Sequence, residues 1–238
     1  MACRSRIALL SVLLALVGRS AALADGYVDE LKQKCRFYKS MTGRFAPMYG
    51  PLAQQMVEDY HLKKGVAVDV GSSAGAWSIE LAKRTEMTVY ALDIDPWAMR
   101  LCGVLADEAG LTGRLIPVEG DAQDMPLRTN FADLVFSRGC IPFVPDQVQF
   151  LRECYRVLKP GGVGYVGHGG FGRLLDPEAR ANLVKWRLDA WKDGPPEGWK
   201  GPGDRLPDLA RKAGIKEYRL VKEPDVGWWL EFRKPKQR

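Results

Sequence analysis

The sequence has no C-x-x-C pair, no G-x-G-x-x-G turn, no acidic residue before Asp25 and no apolar run long enough to cross a bilayer. Each absence removes a class of function. Cys35, Cys102, Cys140 and Cys154 stand far apart, which indicates neither zinc nor a thioredoxin-like redox centre, so no metal is expected. Cys102 and Cys154 fall in helical patterns and read as small buried apolar residues. Without the glycine triplet, the close approach of a dinucleotide pyrophosphate is unsupported. The apolar run from Ile7 to Gly18 falls short of the roughly 20 residues of a spanning helix. With Arg4 and Arg6 before it and Ala22-Leu23-Ala24 after it, it predicts a cleavable secretory signal over residues 1–24 and a mature chain from Asp25. The expectation is therefore export, to a periplasm, the exterior or an organellar lumen, with no stable span after cleavage. Membrane anchoring through an uncleaved segment and an organellar transit sequence are the alternatives. Removing Arg4, Arg6 and Arg19 lowers the formal charge from +6 to +3, too mild to argue for nucleic acid.

The remaining chain is rich enough in apolar residues, 46% overall, for one sizeable core. Residues 25–60 read as an N-terminal helical cap, with a break at Thr42-Gly43 and a restart at Pro51. Residues 61–238 alternate short apolar runs with amphipathic ones. Strands are expected at Val66–Val70, Thr88–Leu92, Leu115–Val118, Ala132–Phe136 and Val163–Val166, with helices of covering length between them. Asp95-Pro96 opens one helix, Gly110 closes it, and the helix from Gln147 stops at Pro160-Gly161-Gly162. Parallel neighbours need crossovers, so the fold expected is doubly wound α/β with helices on both faces of a mostly parallel sheet. Two further runs, Lys216–Lys222 and Gly227–Arg233, predict a C-terminal antiparallel hairpin. Between the fifth strand and this hairpin lies an insertion, 171–207. Its helix starts at Asp176-Pro177 and carries Leu183, Val184, Leu188 and Trp191 on one side.

Gly71-Ser72-Ser73-Ala74-Gly75 reads literally as G-x-S-x-G, the nucleophile elbow of a serine hydrolase. That elbow follows several strands in its own fold, whereas here the turn follows the first. Ser73, an aspartate and His168 keep the right chain order without the architecture, so Ser73 reads as a turn residue. The turn also suits a cofactor loop, because glycines admit a close ligand and the next helix offers free N–H groups. Asp93, at the end of the second strand, stands where an acid takes the hydroxyls of a ribose, and Gly120-Asp121 follows the third strand at the same sheet edge.

From these residues the sequence resembles the class I S-adenosylmethionine-dependent methyltransferases, particularly those acting on small molecules. Asp69-Val70-Gly71-Ser72-Ser73-Ala74-Gly75 looks like the loop holding the methionine part. Leu92-Asp93-Ile94 resembles the ribose-binding strand end, and Gly120-Asp121-Ala122 the adenine-contacting turn. Ala132 to Arg138, including Ser137, is similar to the fourth strand, and Arg156-Val157-Leu158-Lys159-Pro160-Gly161-Gly162 to the approach to the fifth. The resemblance implies a seven-stranded Rossmann-like fold, S-adenosylmethionine as cofactor, a small-molecule acceptor and a lid at 171–207. Two positions depart from the pattern: Ser73 replaces a common glycine, and Gly139-Cys140-Ile141-Pro142-Phe143 carries no histidine after the fourth strand. No catalytic base is thereby inherited. His168 is the candidate base and Arg138 the candidate anion-binding group. The alternative from another class is an exported, non-catalytic protein of the same fold that binds a nucleoside or other small ligand.

Overall fold

The computed structural model describes residues 25–194, 200–223 and 227–236. The predicted signal and its cleavage site, Trp199 and the expected hairpin turn at Pro224-Asp225 lie outside the described residues. Three helices come first, α1 over 25–34, α2 at Tyr38–Thr42 and α3 at Ala46–Tyr60. Then follow β1 (Lys64–Val70), α4 (Ala76–Arg84), β2 (Glu86–Asp93), α5 (Pro96–Glu108), β3 (Leu115–Glu119), β4 (Ala132–Arg138), α6 (Gln147–Val157) and β5 (Leu158–His168). The chain continues through α7 (Pro177–Ala190), α8 (Leu206–Lys212), β6 (Glu217–Glu223) and β7 (Gly227–Arg233).

The seven strands lie in the order β3-β2-β1-β4-β5-β7-β6. The first five are parallel, and β7 runs antiparallel between β5 and β6. Successive strand residues face opposite sides, and the core divides accordingly. Ala67, Val89, Phe136, Tyr165 and Trp229 pack under α3, α4 and α5, while Val68, Leu92, Val135, Val166 and Phe232 pack under α6 and α8. The sheet is thus buried on both faces, as parallel strands require.

Local chemistry sets the helix starts. Asp95 accepts from Trp97 N–H at 2.9 Å, Asp146 from Val148 and Gln149 N–H, and Asp176 from Glu178 and Ala179 N–H, so all three side chains satisfy orphan donors of a first turn. Gly110, at φ +68°, follows the end of α5.

Three expectations fail. The cap does not restart at Pro51: α3 already runs from Ala46, and Pro51 sits inside it, where it removes one main-chain bond. No helix joins β3 to β4. The connection is an acid- and proline-containing loop pinned from α6, where the buried Glu153 accepts Met125 N–H at 2.8 Å and Arg156 donates to the carbonyls of Met125 and Leu127. On α7, Leu183 is buried, but Leu188 is 64% exposed and does not join a common apolar face.

Candidate active site

The order of strands reverses between β1 and β4, and there the carboxyl ends of the sheet open a crevice. Ser137 Oγ, fully buried, donates to Val70 O at 2.6 Å and ties the two strands across that point. The turn after β1 is held by its neighbour, since Leu92 O accepts from both Gly71 N–H (2.8 Å) and Ser72 N–H (3.0 Å). Gly71, Ser73 and Gly75 all have positive φ, at +73°, +49° and +79°. Gly71 is doubly required, because a Cβ there would lie 2.4 Å from Cys140 Cβ. Ser73 occupies the left-handed region without being glycine, and its N–H donates to Asp93 Oδ2 at 2.7 Å.

Three thiols line the underside of this turn. Cys140 packs against Gly71, Cys35 Sγ lies 3.6 Å from Ser73 Oγ, and Cys102 fills the space that a Cβ on Gly75 would need. Burial, together with nearby aspartates, pushes the Cys102 and Cys140 thiols up to about 12, so both are inert packing groups. Ser73 Oγ therefore meets a thiol and not an imidazole, which removes the geometric basis of a nucleophile elbow.

The acids are placed at successive strand ends. Asp69 is buried in β1 and accepts from Ser78 Oγ at 2.7 Å. Burial pushes its carboxyl up to about 7, with the Ser78 hydrogen bond opposing and the Asp93 charge adding to the rise. Asp93, half-buried, also accepts Asp95 N–H at 3.0 Å, and burial raises it against these main-chain donors. Gly120 N–H donates to Asp93 O at 3.0 Å, which brings the third strand end alongside. There Asp121 folds its own turn by accepting Gln123 N–H at 2.8 Å, next to the buried Ala122. Ile94, beside Asp93, is 68% exposed, an apolar side chain standing over this edge.

On the other side of the crevice a second group of residues gathers. Arg138 ends β4, donates from Nε to Gly170 O at 2.8 Å, and lies over the rings of Phe45 (5.0 Å) and Phe171 (5.5 Å). Tyr49 of α3 is close enough that Arg138 works to lower its phenol, although burial dominates and pushes it up to about 12. His168, buried at the end of β5, accepts at Nε2 from Gly203 N–H at 3.4 Å. Burial, with Arg187 and Arg138 adding to it, pushes the imidazole down to about 4, so it is neutral near pH 7 and a weak proton acceptor. Arg187 on α7 donates to Gly169 O at 3.2 Å. Trp186, one residue earlier, packs edge-on against Phe45 and under Arg44.

The loop after β5 is stapled by one carboxylate. Glu223 of β6 accepts from Phe171 N–H (3.0 Å), Gly172 N–H (2.8 Å), Arg180 Nη1 (3.1 Å) and Trp229 Nε1 (2.6 Å). Its burial works to raise it, yet these donors hold it below the ordinary carboxylate range.

The structure thus brings Asp69, Gly71, Ser72, Ser73, Gly75, Asp93, Ile94, Asp121, Ala122 and Ser137 to one edge, with Arg138 and His168 beside them. Tyr49, Phe45, Phe171 and Arg187 were not foreseen; only topology shows that the α2–α3 turn, α3 and α7 converge there.

A methyltransferase-domain family model matches residues 68–166, the span from β1 to β5. A Methanococcus maripaludis protein described as an S-adenosyl-L-methionine-dependent methyltransferase superposes with a TM-score of 0.73 at 28% identity, covering 89% of this chain and 94% of its own. Residues 68–166 are a methyltransferase domain, and the fold is that of the class I S-adenosylmethionine-dependent methyltransferases. Among curated methyltransferases, the chloroplastic 2-methyl-6-phytyl-1,4-hydroquinone methyltransferase 2 of Oryza sativa subsp. japonica is 35% identical over 178 residues, 74% of this chain and 46% of the relative. A sterol 24-C-methyltransferase of Aspergillus fumigatus is 30% identical over 54% of this chain and 34% of its own. The chain thus spans less than half the length of these curated relatives.

The residues present fit this methyltransferase cofactor. Each Asp93 oxygen accepts one N–H and keeps acceptor capacity toward ribose hydroxyls, Ile94 offers an exposed apolar surface for a base, and the positive-φ turn is already folded.

Proposed function

We propose that the protein catalyses methyl transfer from S-adenosylmethionine to a small-molecule acceptor, and that it works outside the cytosol. The observation that carries the first part is the edge itself. Acids stand at three successive strand ends around a pre-folded glycine turn, and Arg138 and His168, with the loop after β5, gather beside it. When bound, S-adenosylmethionine supplies an electrophilic methyl carbon on a sulfonium sulfur. Asp69 and the turn from Gly71 to Gly75 would hold its methionine part, Asp93 the ribose, and Ile94, Asp121 and Ala122 the base.

What remains for the chain is to place the acceptor atom in line and keep water out. Phe45, Phe171 and Trp186 gather aromatic surface around Arg138, and α7, which carries Trp186, would serve as the lid that excludes water. The Tyr49 phenol, held protonated, donates a hydrogen bond to a bound acceptor; His168, held neutral, lends only weak basicity. An acceptor that is already nucleophilic at working pH suits such a site. The relatives named for a sterol and a phytyl hydroquinone support a small organic acceptor, and the mild positive charge gives no support to nucleic acid.

Export rests on residues 1–24, whose basic start, apolar stretch and Ala22-Leu23-Ala24 support a cleaved signal. Mass measurement of protein expressed in a secretion-competent host should give a chain beginning at Asp25; an intact Met1 terminus inside the cell would reject export. The enzymatic part is tested by calorimetric titration of the full chain with S-adenosylmethionine and with S-adenosylhomocysteine. Micromolar binding is expected, and a folded protein that binds neither would refute the reading.

A further inference from the structure

The side of the crevice facing the acceptor carries two cations on short tethers. Arg138 is the last residue of β4, and among the described residues its one hydrogen bond runs from Nε to the Gly170 carbonyl. The rest of its five donors make no hydrogen bond to a described residue, and no described carboxylate forms an ion pair with it. Its guanidinium carbon lies over the rings of Phe45 and Phe171, at 5.0 and 5.5 Å. Two rings at this distance restrict the movement of the fork, and its remaining N–H groups are the route for a ligand. The nearby acid that would neutralise it, Glu223, is fully engaged with Phe171, Gly172, Arg180 and Trp229.

Arg187 lies close by, near enough that both guanidinium groups disfavour the charged form of His168 and that Arg138 adds to the lowering of Arg187 by burial. It reaches Gly169 O from α7, so the two cations hold neighbouring carbonyls of the same backbone, Gly169-Gly170. The Arg138 guanidinium, with no ion-pair partner among the described residues and aromatic rings around it, makes a local field that favours an anion.

We propose that the acceptor of this methyltransferase carries an anionic group, a carboxylate or a phosphate, bound at the edge of the Arg138 guanidinium with Arg187 in support. This rests on the methyltransferase reading and deepens it. The field also selects against cationic acceptors, since a protonated amine would meet Arg138, Arg187 and the sulfonium of the bound cofactor together. The partners of Arg138 place it on the acceptor side: Phe45 comes from the α2–α3 turn and Gly170 and Phe171 from the loop after β5, none of them from the turn 71–75 or the ends of β2 and β3.

The test uses the full chain saturated with S-adenosylhomocysteine, titrated with benzoate, phenyl phosphate and inorganic phosphate, and with the neutral benzamide and the cationic benzylamine. At least one aromatic anion should bind about tenfold or more tightly than benzamide, with benzylamine weakest. The stronger of benzoate and phenyl phosphate names the group, and inorganic phosphate shows whether the anion suffices without the ring. Arg138→Gln should remove the anion preference, and Arg138→Lys should retain part of it. Both should bind S-adenosylhomocysteine within about threefold of the parent and keep its melting profile. Equal binding of anion and amide, or no anion binding to about 10 mM, would overturn the proposal. A loss of S-adenosylhomocysteine affinity in folded Arg138→Gln would also overturn it, by assigning Arg138 to the cofactor carboxylate. Absence of S-adenosylhomocysteine binding in the parent protein strikes the methyltransferase reading instead, and the two failures are told apart by that control.

Discussion

The two sides of the crevice are built by different means. On the cofactor side, main-chain groups do most of the holding: Leu92 O takes two N–H groups, Asp93 takes two more, and Gly120 N–H closes on Asp93 O, all within contiguous strand ends. On the acceptor side, side chains from β4, β5, β6, α3 and α7 converge, and a single carboxylate, Glu223, keeps the loop after β5 in place. A site made of local backbone geometry is set as soon as its strands pair. A site made of distant side chains depends on every packing contact behind it, and is correspondingly easier to alter.

The largest expected effect is at that staple. Glu223→Ala strands two main-chain donors, Trp229 Nε1 and Arg180, so stability should fall by about 3–5 kcal/mol in denaturant titration. If the two sides are separable, the folded fraction should still bind S-adenosylhomocysteine; joint loss of both would break the distinction.

A pH experiment comes next. His168 is held near 4 and ordinarily titrates near 6.5, so the unfolded chain takes up its proton first and stability drops as pH falls from about 6.5 to 4. Asp69 is held near 7 and ordinarily titrates near 3.8, so its folded form resists ionising and stability drops as pH rises from about 4 to 7. The two slopes oppose each other in one window, worth up to about 3 kcal/mol for His168 and about 4 kcal/mol for Asp69. Relative to the parent, Asp69→Asn should gain stability with rising pH and His168→Gln should lose it. Parallel pH profiles for the two variants would refute both assignments.

Asp93→Ala should weaken S-adenosylhomocysteine binding about a hundredfold, or about 2.7 kcal/mol, by calorimetry. Affinity within a few-fold of the parent would move the ribose contact off β2. The smallest change is expected from Ser73→Ala. It keeps the N–H that Asp93 accepts and removes only a hydroxyl facing Cys35, so cofactor affinity should move by less than about twofold.

This division also explains what could be read from the sequence. The turn at Gly71–Gly75, Asp93 and Gly120-Asp121 are legible because strand end, glycine and acid follow one another along the chain. The helix starts at Asp95, Asp146 and Asp176 obey the same local logic. Tyr49 gave no such signal, since on α3 it is one more aromatic residue in an apolar helix, and its place beside Arg138 arises only when α3 docks on the sheet. The missing helix between β3 and β4 was illegible for a related reason: Glu153 and Arg156, far along the chain, hold that loop in place of a helix. Leu188 misled because helical spacing marks a face without saying that anything covers it.

The position of β7 has a consequence for biosynthesis. It follows β6 in the chain, yet it lies between β5 and β6 in the sheet. As a nascent chain leaves the ribosome, β6 emerges before its one hydrogen-bonding neighbour, and β5 keeps an open edge until Gly227–Arg233 arrives. Trp229, which packs against Tyr165 and donates to Glu223, comes in the same instalment. A chain interrupted before it therefore carries the cofactor half nearly complete and an unzipped flank beside it, a form that proteolytic surveillance can distinguish from finished protein.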